Sequence, residues 1–102
     1  MDEQRLRGLM GLTVRARQTV FGEDACLKAI RSGECALLLL DEGASAATAE
    51  KYTGSCEAAG VPLVQLREGL LWEATGRPGK AMAVKPGGLA DQLLRISGIN
   101  QE

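Results

Sequence analysis

The stretch GEDACLKAIRSGECALLLL, Gly22 to Leu40, reads as a helix opened and closed by glycine with a buried strand behind it. Gly33 follows the last helical residue, where a left-handed cap is common. Ala36 to Leu40 is an unbroken apolar run ending at Asp41. A strand that is apolar on both faces belongs in the middle of a sheet covered on both sides. Within the helix, Asp24, Lys28 and Arg31 follow at i, i+4 and i+7 and share one face. Cys26, Leu27 and Ile30 make the opposite, buried face. A helix start presents backbone N–H groups at the positive end of its dipole, where a phosphate docks readily. An ordinary surface helix covering a sheet fits the same spacing.

Working outward, Leu6, Leu9, Met10, Thr13 and Val14 recur at helical spacing and predict a first helix from Glu3 to about Arg17. Gly8 and Gly11 interrupt it, each at a cost of roughly 1 kcal/mol relative to Ala, and permit close packing. A short strand follows at Gln18 to Phe21. Beyond the central run, Ser45 is placed to cap a helix reaching Ala59, with Ala49, Tyr52, Thr53 and Cys56 as its apolar stripe. Val61 to Leu66 reads as a second core strand, Glu68 to Thr75 as a short helix, and Gly76 to Lys80 as a tight loop. Ala81 to Lys85 is a further strand, and Leu89 to Ile96 a last helix opened by Pro86-Gly87-Gly88. The tail from Gly98 is expected to fray. Strands alternate with helices, which predicts an α/β fold: a three-layer α/β/α sandwich around a small, partly parallel sheet.

Length and composition bound the function. A chain of 102 residues is expected to form one domain. Its three aromatics, Phe21, Tyr52 and Trp72, leave the core to Leu, Val, Ile and Ala. They form no base-stacking platform, and Trp72 beside Leu70 and Leu71 is expected to fill the core or its edge. Net charge is −1, yet residues 1–33 carry six basic and four acidic side chains, residues 34–76 two and seven, and residues 77–102 four and two. Basic flanks around an acidic middle place a positive patch on one face, or leave a merely uneven solvated surface.

Chemistry of other kinds finds few residues. Histidine is absent, and with it the commonest general base. No serine or cysteine lies in a G-x-S-x-G elbow. Cys26, Cys35 and Cys56 are widely spaced with no C-x-x-C pair, so neither a zinc site nor another metal is expected. Unpaired thiols and a charged N-terminus without an apolar segment predict a cytoplasmic protein with no membrane contact. Asp41 and Glu42 at a strand end are expected to form an exposed acidic turn. The loop Gly76-Arg77-Pro78-Gly79-Lys80 lacks the spacing of a phosphate-binding P-loop, and Ala81 stands where that motif needs Ser or Thr. Gly76 and Gly79 still let a ligand approach the backbone, flanked by Arg77 and Lys80 as phosphate partners. A plain helix-to-strand connection fits as well. These absences predict a non-enzymatic protein without cofactors.

The order of motifs resembles a known family. G-x-x-x-x-x-K-A-I-x-x-G at Gly22 to Gly33, the apolar strand Ala36 to Leu40, Gly60-Val61-Pro62, Leu71-Trp72-Glu73-Ala74-Thr75-Gly76 and Ala81-Met82-Ala83-Val84 follow the pattern of the ribosomal protein L-seven-Ae/L-thirty-e superfamily. SGECALLLLDEGAS, Ser32 to Ser45, is most similar to its small bacterial YlxQ-like branch. The resemblance spans nearly the whole chain and implies a single RNA-binding domain over residues 1–102. The implied partner is structured RNA, typically a kink-turn and ribosomal, with a translation-related protein as a further possible partner. The implied contacts are the helix start at Gly22, Glu23, Asp24 and Lys28, and the loop at Gly76, Arg77, Gly79 and Lys80. Arg17 and Arg31 add positive charge from the basic N-terminal third. Kink-turn binders open this helix with Gly-x-Asn-Glu; here the positions read Gly22, Glu23, Asp24, Ala25. An ionised Asp24 offers no donor and Ala25 no acceptor. Trp72 replaces a usual glycine. The same departures fit a second reading: a protein-interaction module that keeps the fold without tight kink-turn recognition.

Overall fold

Alternation along the central strand decides which helix covers which face. The computed structural model describes residues 2–98, so Ile99 to Glu102 of the tail lie outside the described residues. Its elements are α1 (Glu3–Arg15), β1 (Thr19–Phe21), α2 (Glu23–Ser32), β2 (Leu37–Asp41), α3 (Ala46–Ala59), β3 (Leu63–Leu66), α4 (Leu70–Thr75), β4 (Ala81–Val84) and α5 (Gly88–Ile96). The four strands form one sheet in the order β1-β4-β2-β3. β2 and β3 run parallel, with Leu38 opposite Leu63, while β4 runs antiparallel to both β1 and β2.

Odd and even residues of β2 face opposite layers. Leu37 and Leu39 pack with Leu6 and Met10 of α1, Leu70 and Leu71 of α4, and Leu93 of α5. Leu38 and Leu40 pack with Cys26 and Ile30 of α2 and with Tyr52 and Cys56 of α3. Three helices therefore cover one face of the mixed sheet and two the other, the α/β/α sandwich that the alternation of elements predicts. Each fully buried leucine contributes about 1.5–3 kcal/mol of hydrophobic transfer. The caps follow the sequence: Asp2 accepts from the Arg5 N–H at 3.2 Å, and Ser45 Oγ from the Thr48 N–H at 3.2 Å.

Several boundaries differ from the sequence expectation. α1 ends at Arg15, because Arg17 takes a left-handed φ of 59° and turns the chain into β1. β3 starts at Leu63, since Val61 is still bonded to Cys56 O as part of the α3 cap. α4 starts at Leu70, because Gly69 holds φ 91° and its N–H is committed to Asp41. On α3, Thr53 is exposed, so the apolar stripe narrows to Ala49, Tyr52 and Cys56. Trp72 is not a core residue: it is 60% exposed. Among the described residues, no helix is long and apolar enough to cross a membrane.

Candidate functional site

Strand register gathers three chain segments at one end of the sheet. Ala81 opens β4 opposite Leu40, near the end of β2, and Met82 opposes Phe21 at the end of β1. The start of α2, the start of α3 and the loop of residues 76–80 therefore share a rim. Between them lies a cleft of about 250 Å³ lined by Gly22, Glu23, Thr48, Tyr52, Pro78, Gly79, Lys80 and Ala81. Gly22 holds φ 96° and brings no side chain to the start of α2. Gly79 holds φ 111° in the facing loop. Both backbones are thus open to a close ligand. Burial, and then its neighbour Cys26, pushes the Tyr52 phenol up, so the cleft presents it neutral.

Charge at the rim is partly cancelled. Glu23 pairs with Lys51 of α3 at 2.8 Å, and that hydrogen bond and carboxylate charge push the ammonium up. One of the two acids at the helix start is thereby neutralised from the neighbouring helix. Asp24 is exposed, and among the described residues it joins no ion pair. Arg77 lies over the Phe21 ring, 4.2 Å from its centroid, which fastens the loop to β1 by a cation–π contact. The Arg77 N–H also donates to Thr75 Oγ1 at 3.1 Å.

Asp41 is the organiser of this end. It is 2% exposed rather than part of an exposed acidic turn. Its Oδ1 accepts from the Gly43 N–H at 2.7 Å and its Oδ2 from the Gly69 N–H at 3.0 Å. Its own N–H donates to Lys80 O at 2.8 Å. One residue thus ties together three loops. A Cβ at Gly43 would meet Asp41 Oδ1 at 3.0 Å, Glu68 Cγ at 3.1 Å and Lys80 Nζ at 3.2 Å, so the Lys80 ammonium crosses the same confined space. Of the two acids of that turn, Glu42 is the exposed one.

The residues expected to form a site separate into two groups. Gly22, Glu23, Gly79 and Lys80 line the cleft, Asp24 follows in the first turn of α2, and Gly76 and Arg77 open the facing loop. Lys28 is exposed one turn further along α2. Arg31 lies in the last turn of α2, roughly 10 Å beyond Asp24 along the axis. Arg17 precedes the opposite end of β1, where Gln18 O accepts from the Lys85 N–H. Neither arginine reaches the cleft.

Thr48, Tyr52 and Lys51 belong to the rim without any local signal in the sequence. Lys51 and Glu23 are 28 residues apart, and only packing of α2 beside α3 joins them. All three cysteines are free and buried. Burial pushes the Cys35 thiol up to about 12 and the Cys56 thiol to about 11. Among the described residues, no group of three or more Cys, Asp or Glu is arranged to hold a metal ion.

No family model matches the chain. It is 37% identical over 90 residues to the RNA-binding protein YlxQ of Bacillus subtilis (strain 168), an alignment covering 86% of this chain and 90% of that protein. Among solved structures, a protein of unknown function from Bacillus halodurans C superposes with a TM-score of 0.83 at 28% identity, over 90% of this chain and 95% of the other. The 15.5kD RNA binding protein of Giardia lamblia superposes with a TM-score of 0.75 at 16% identity, over 95% of this chain and 85% of the other, and so shares the fold. With more than a third of aligned residues identical across most of both chains, the protein belongs to the YlxQ family.

Proposed function

We propose that this protein is a single, non-enzymatic domain that binds structured RNA at the rim joining the start of α2 to the loop of residues 76–80. The observation that carries this is the shared cleft: Gly22 and Glu23 face Pro78 to Lys80 across it, more than 50 residues apart in sequence. A helix start without a side-chain cap offers amides to a phosphate, and Lys28, Arg77 and Lys80 supply positive charge around it. Relatives support the same function, since YlxQ of Bacillus subtilis is named an RNA-binding protein. The RNA is a kink-turn or a related fold, encountered on ribosomal RNA in the cytoplasm, with a translation-related protein as a further partner. Crosslinking in cells followed by sequencing of bound RNA tests this. Enrichment of ribosomal RNA fragments with a bulged, kinked stem is the expected outcome; no RNA above background would overturn it.

Asp24 and Ala25 favour a second reading, a protein-interaction module on the same fold. The exposed Asp24 carboxylate opposes a phosphate backbone, and Ala25 offers no contact to a base edge. Salt separates the two. Binding through phosphates weakens steeply as salt rises, whereas docking through apolar and neutral contacts does not.

A further inference from the structure

We propose that Lys51 of α3 is a determinant of RNA affinity: by cancelling the charge of Glu23 it lets a phosphate approach the start of α2. This rests on the RNA-binding function above. The start of α2 carries two carboxylates in its first turn, Glu23 and Asp24. The helix dipole sets only about half a positive charge against them. Lys28, one turn further on, adds one more positive charge. Those groups together leave the turn negative, and a negative turn repels the phosphate that its free amides would bind. The Lys51 ammonium, 2.8 Å from Glu23 Oε2, reverses that sign.

Lys51 reaches across to α2 because its own helix offers it no partner. Ala47, Thr48, Gly54 and Ser55 stand three and four residues to either side of it, and none is acidic. Packing of Cys26 and Ile30 against Tyr52 and Cys56 sets α2 beside α3. That packing joins two residues 28 positions apart in sequence. Glu23, and more weakly Asp24, push the Lys51 ammonium up, so the cation acts on both acids of the turn. Thr48 and Tyr52 of the same helix line the cleft together with Glu23, and the ion pair therefore borders the cleft itself. The Lys51 side chain is 55% exposed. A surface pair of this kind contributes little to stability, whereas its charge acts on any anion brought to the rim.

The test uses the full chain and two probes, a kink-turn RNA and bulk ribosomal RNA. Lys51→Gln keeps a side chain able to hydrogen-bond Glu23 and removes only the charge. It is expected to weaken binding roughly 3- to 10-fold at low salt, the effect of one charge at contact distance in water. Lys51→Arg should retain most of the affinity. Adding Glu23→Gln to Lys51→Gln restores the charge balance of the turn, and is expected to return affinity to within roughly threefold of wild type. The gap between wild type and Lys51→Gln should narrow as salt rises and screens the charges, which a packing defect would not do. Equal affinity of wild type and Lys51→Gln, with Lys28→Ala or Lys80→Ala still weakening binding, would overturn the role of Lys51 while leaving the rim intact. A loss that Glu23→Gln does not reverse would overturn the charge balance in favour of a direct contact between Lys51 and RNA. Failure of wild type to bind either probe would overturn both this role and the RNA-binding function.

Discussion

Asp41 does at residue scale what no single helix does: it fixes the relative positions of three loops through two carboxylate oxygens and one N–H. Hydrogen bonds to a carboxylate contribute about 1.5–3 kcal/mol each. Asp41→Ala leaves the Gly43 and Gly69 N–H groups without that acceptor, and is expected to cost about 2–4 kcal/mol in urea unfolding. An unchanged midpoint would show that water replaces the carboxylate at no loss. The thiols give a prediction in pH. Burial raises Cys35 from 9.0 to about 12 and Cys56 to about 11, so the folded state favours the neutral thiol. An unfolded thiol ionises near its ordinary value, and the unfolded state therefore loses protons first as pH rises. Their contribution is whole below pH 9 and is lost between 9 and about 12. The slope approaches 1.36 kcal/mol per pH unit for each thiol. Cys35→Ala is expected to flatten the alkaline decline of unfolding free energy; the same slope in variant and wild type would refute the assignment to Cys35.

At the scale of elements, β2 is the strand on which both layers depend. Leu38 is fully buried against α2 and α3. Leu38→Ala is expected to cost about 2–5 kcal/mol through lost transfer and the cavity left behind. Thermal stability near wild type would mean that the α2–α3 layer closes over the gap. This strand was legible in the sequence because four consecutive leucines leave no solvent face, and α2 because Gly22 and Gly33 bracket its periodicity. Asp41 and Trp72 escape such a reading for the opposite reason. Nothing local distinguishes a carboxylate that closes a turn in water from one that reaches a glycine N–H 28 residues away, or a tryptophan beside two leucines from a buried one. The start of α2 was legible as a helix start but not as a partly neutralised one, since Lys51 arrives from α3. Restoring the Gly-x-Asn-Glu pattern tests how much that start contributes. Asp24→Asn with Ala25→Glu moves the carboxylate from position 24 to position 25 at unchanged net charge, adding an amide donor at 24 and an acceptor for base N–H groups at 25. A good bidentate base contact is worth about 1–3 kcal/mol, so a kink-turn RNA is expected to bind the double variant roughly ten- to hundred-fold more tightly. Equal gel-shift affinities at fixed salt would mean that this turn does not face bases.

Charge on the whole molecule sums to −1, so net attraction cannot bring it to RNA; the distribution must. The fold divides six of the ten cations of the basic flanks between two ends of the sheet. Lys28, Arg77 and Lys80 lie around or near the cleft rim, whereas Arg17, Arg31 and Lys85 lie toward the far end of β1 and α2. Every one of the six is exposed, and none is in an ion pair among the described residues. If RNA occupies only the rim, three phosphate contacts give a slope of log affinity against log salt of roughly −2 to −3. Lys28→Ala and Lys80→Ala should each reduce it by about 0.7–0.9 and weaken binding, with stability altered by no more than about 0.5 kcal/mol. The combined variant Arg17→Ala, Arg31→Ala, Lys85→Ala should keep the slope of wild type. A fall in slope from the far-end variant equal to that of the rim variants would mean that the RNA follows α2 along its length and engages both ends of the sheet. The contact would then be an extended one along the α2 face rather than a grip at the cleft.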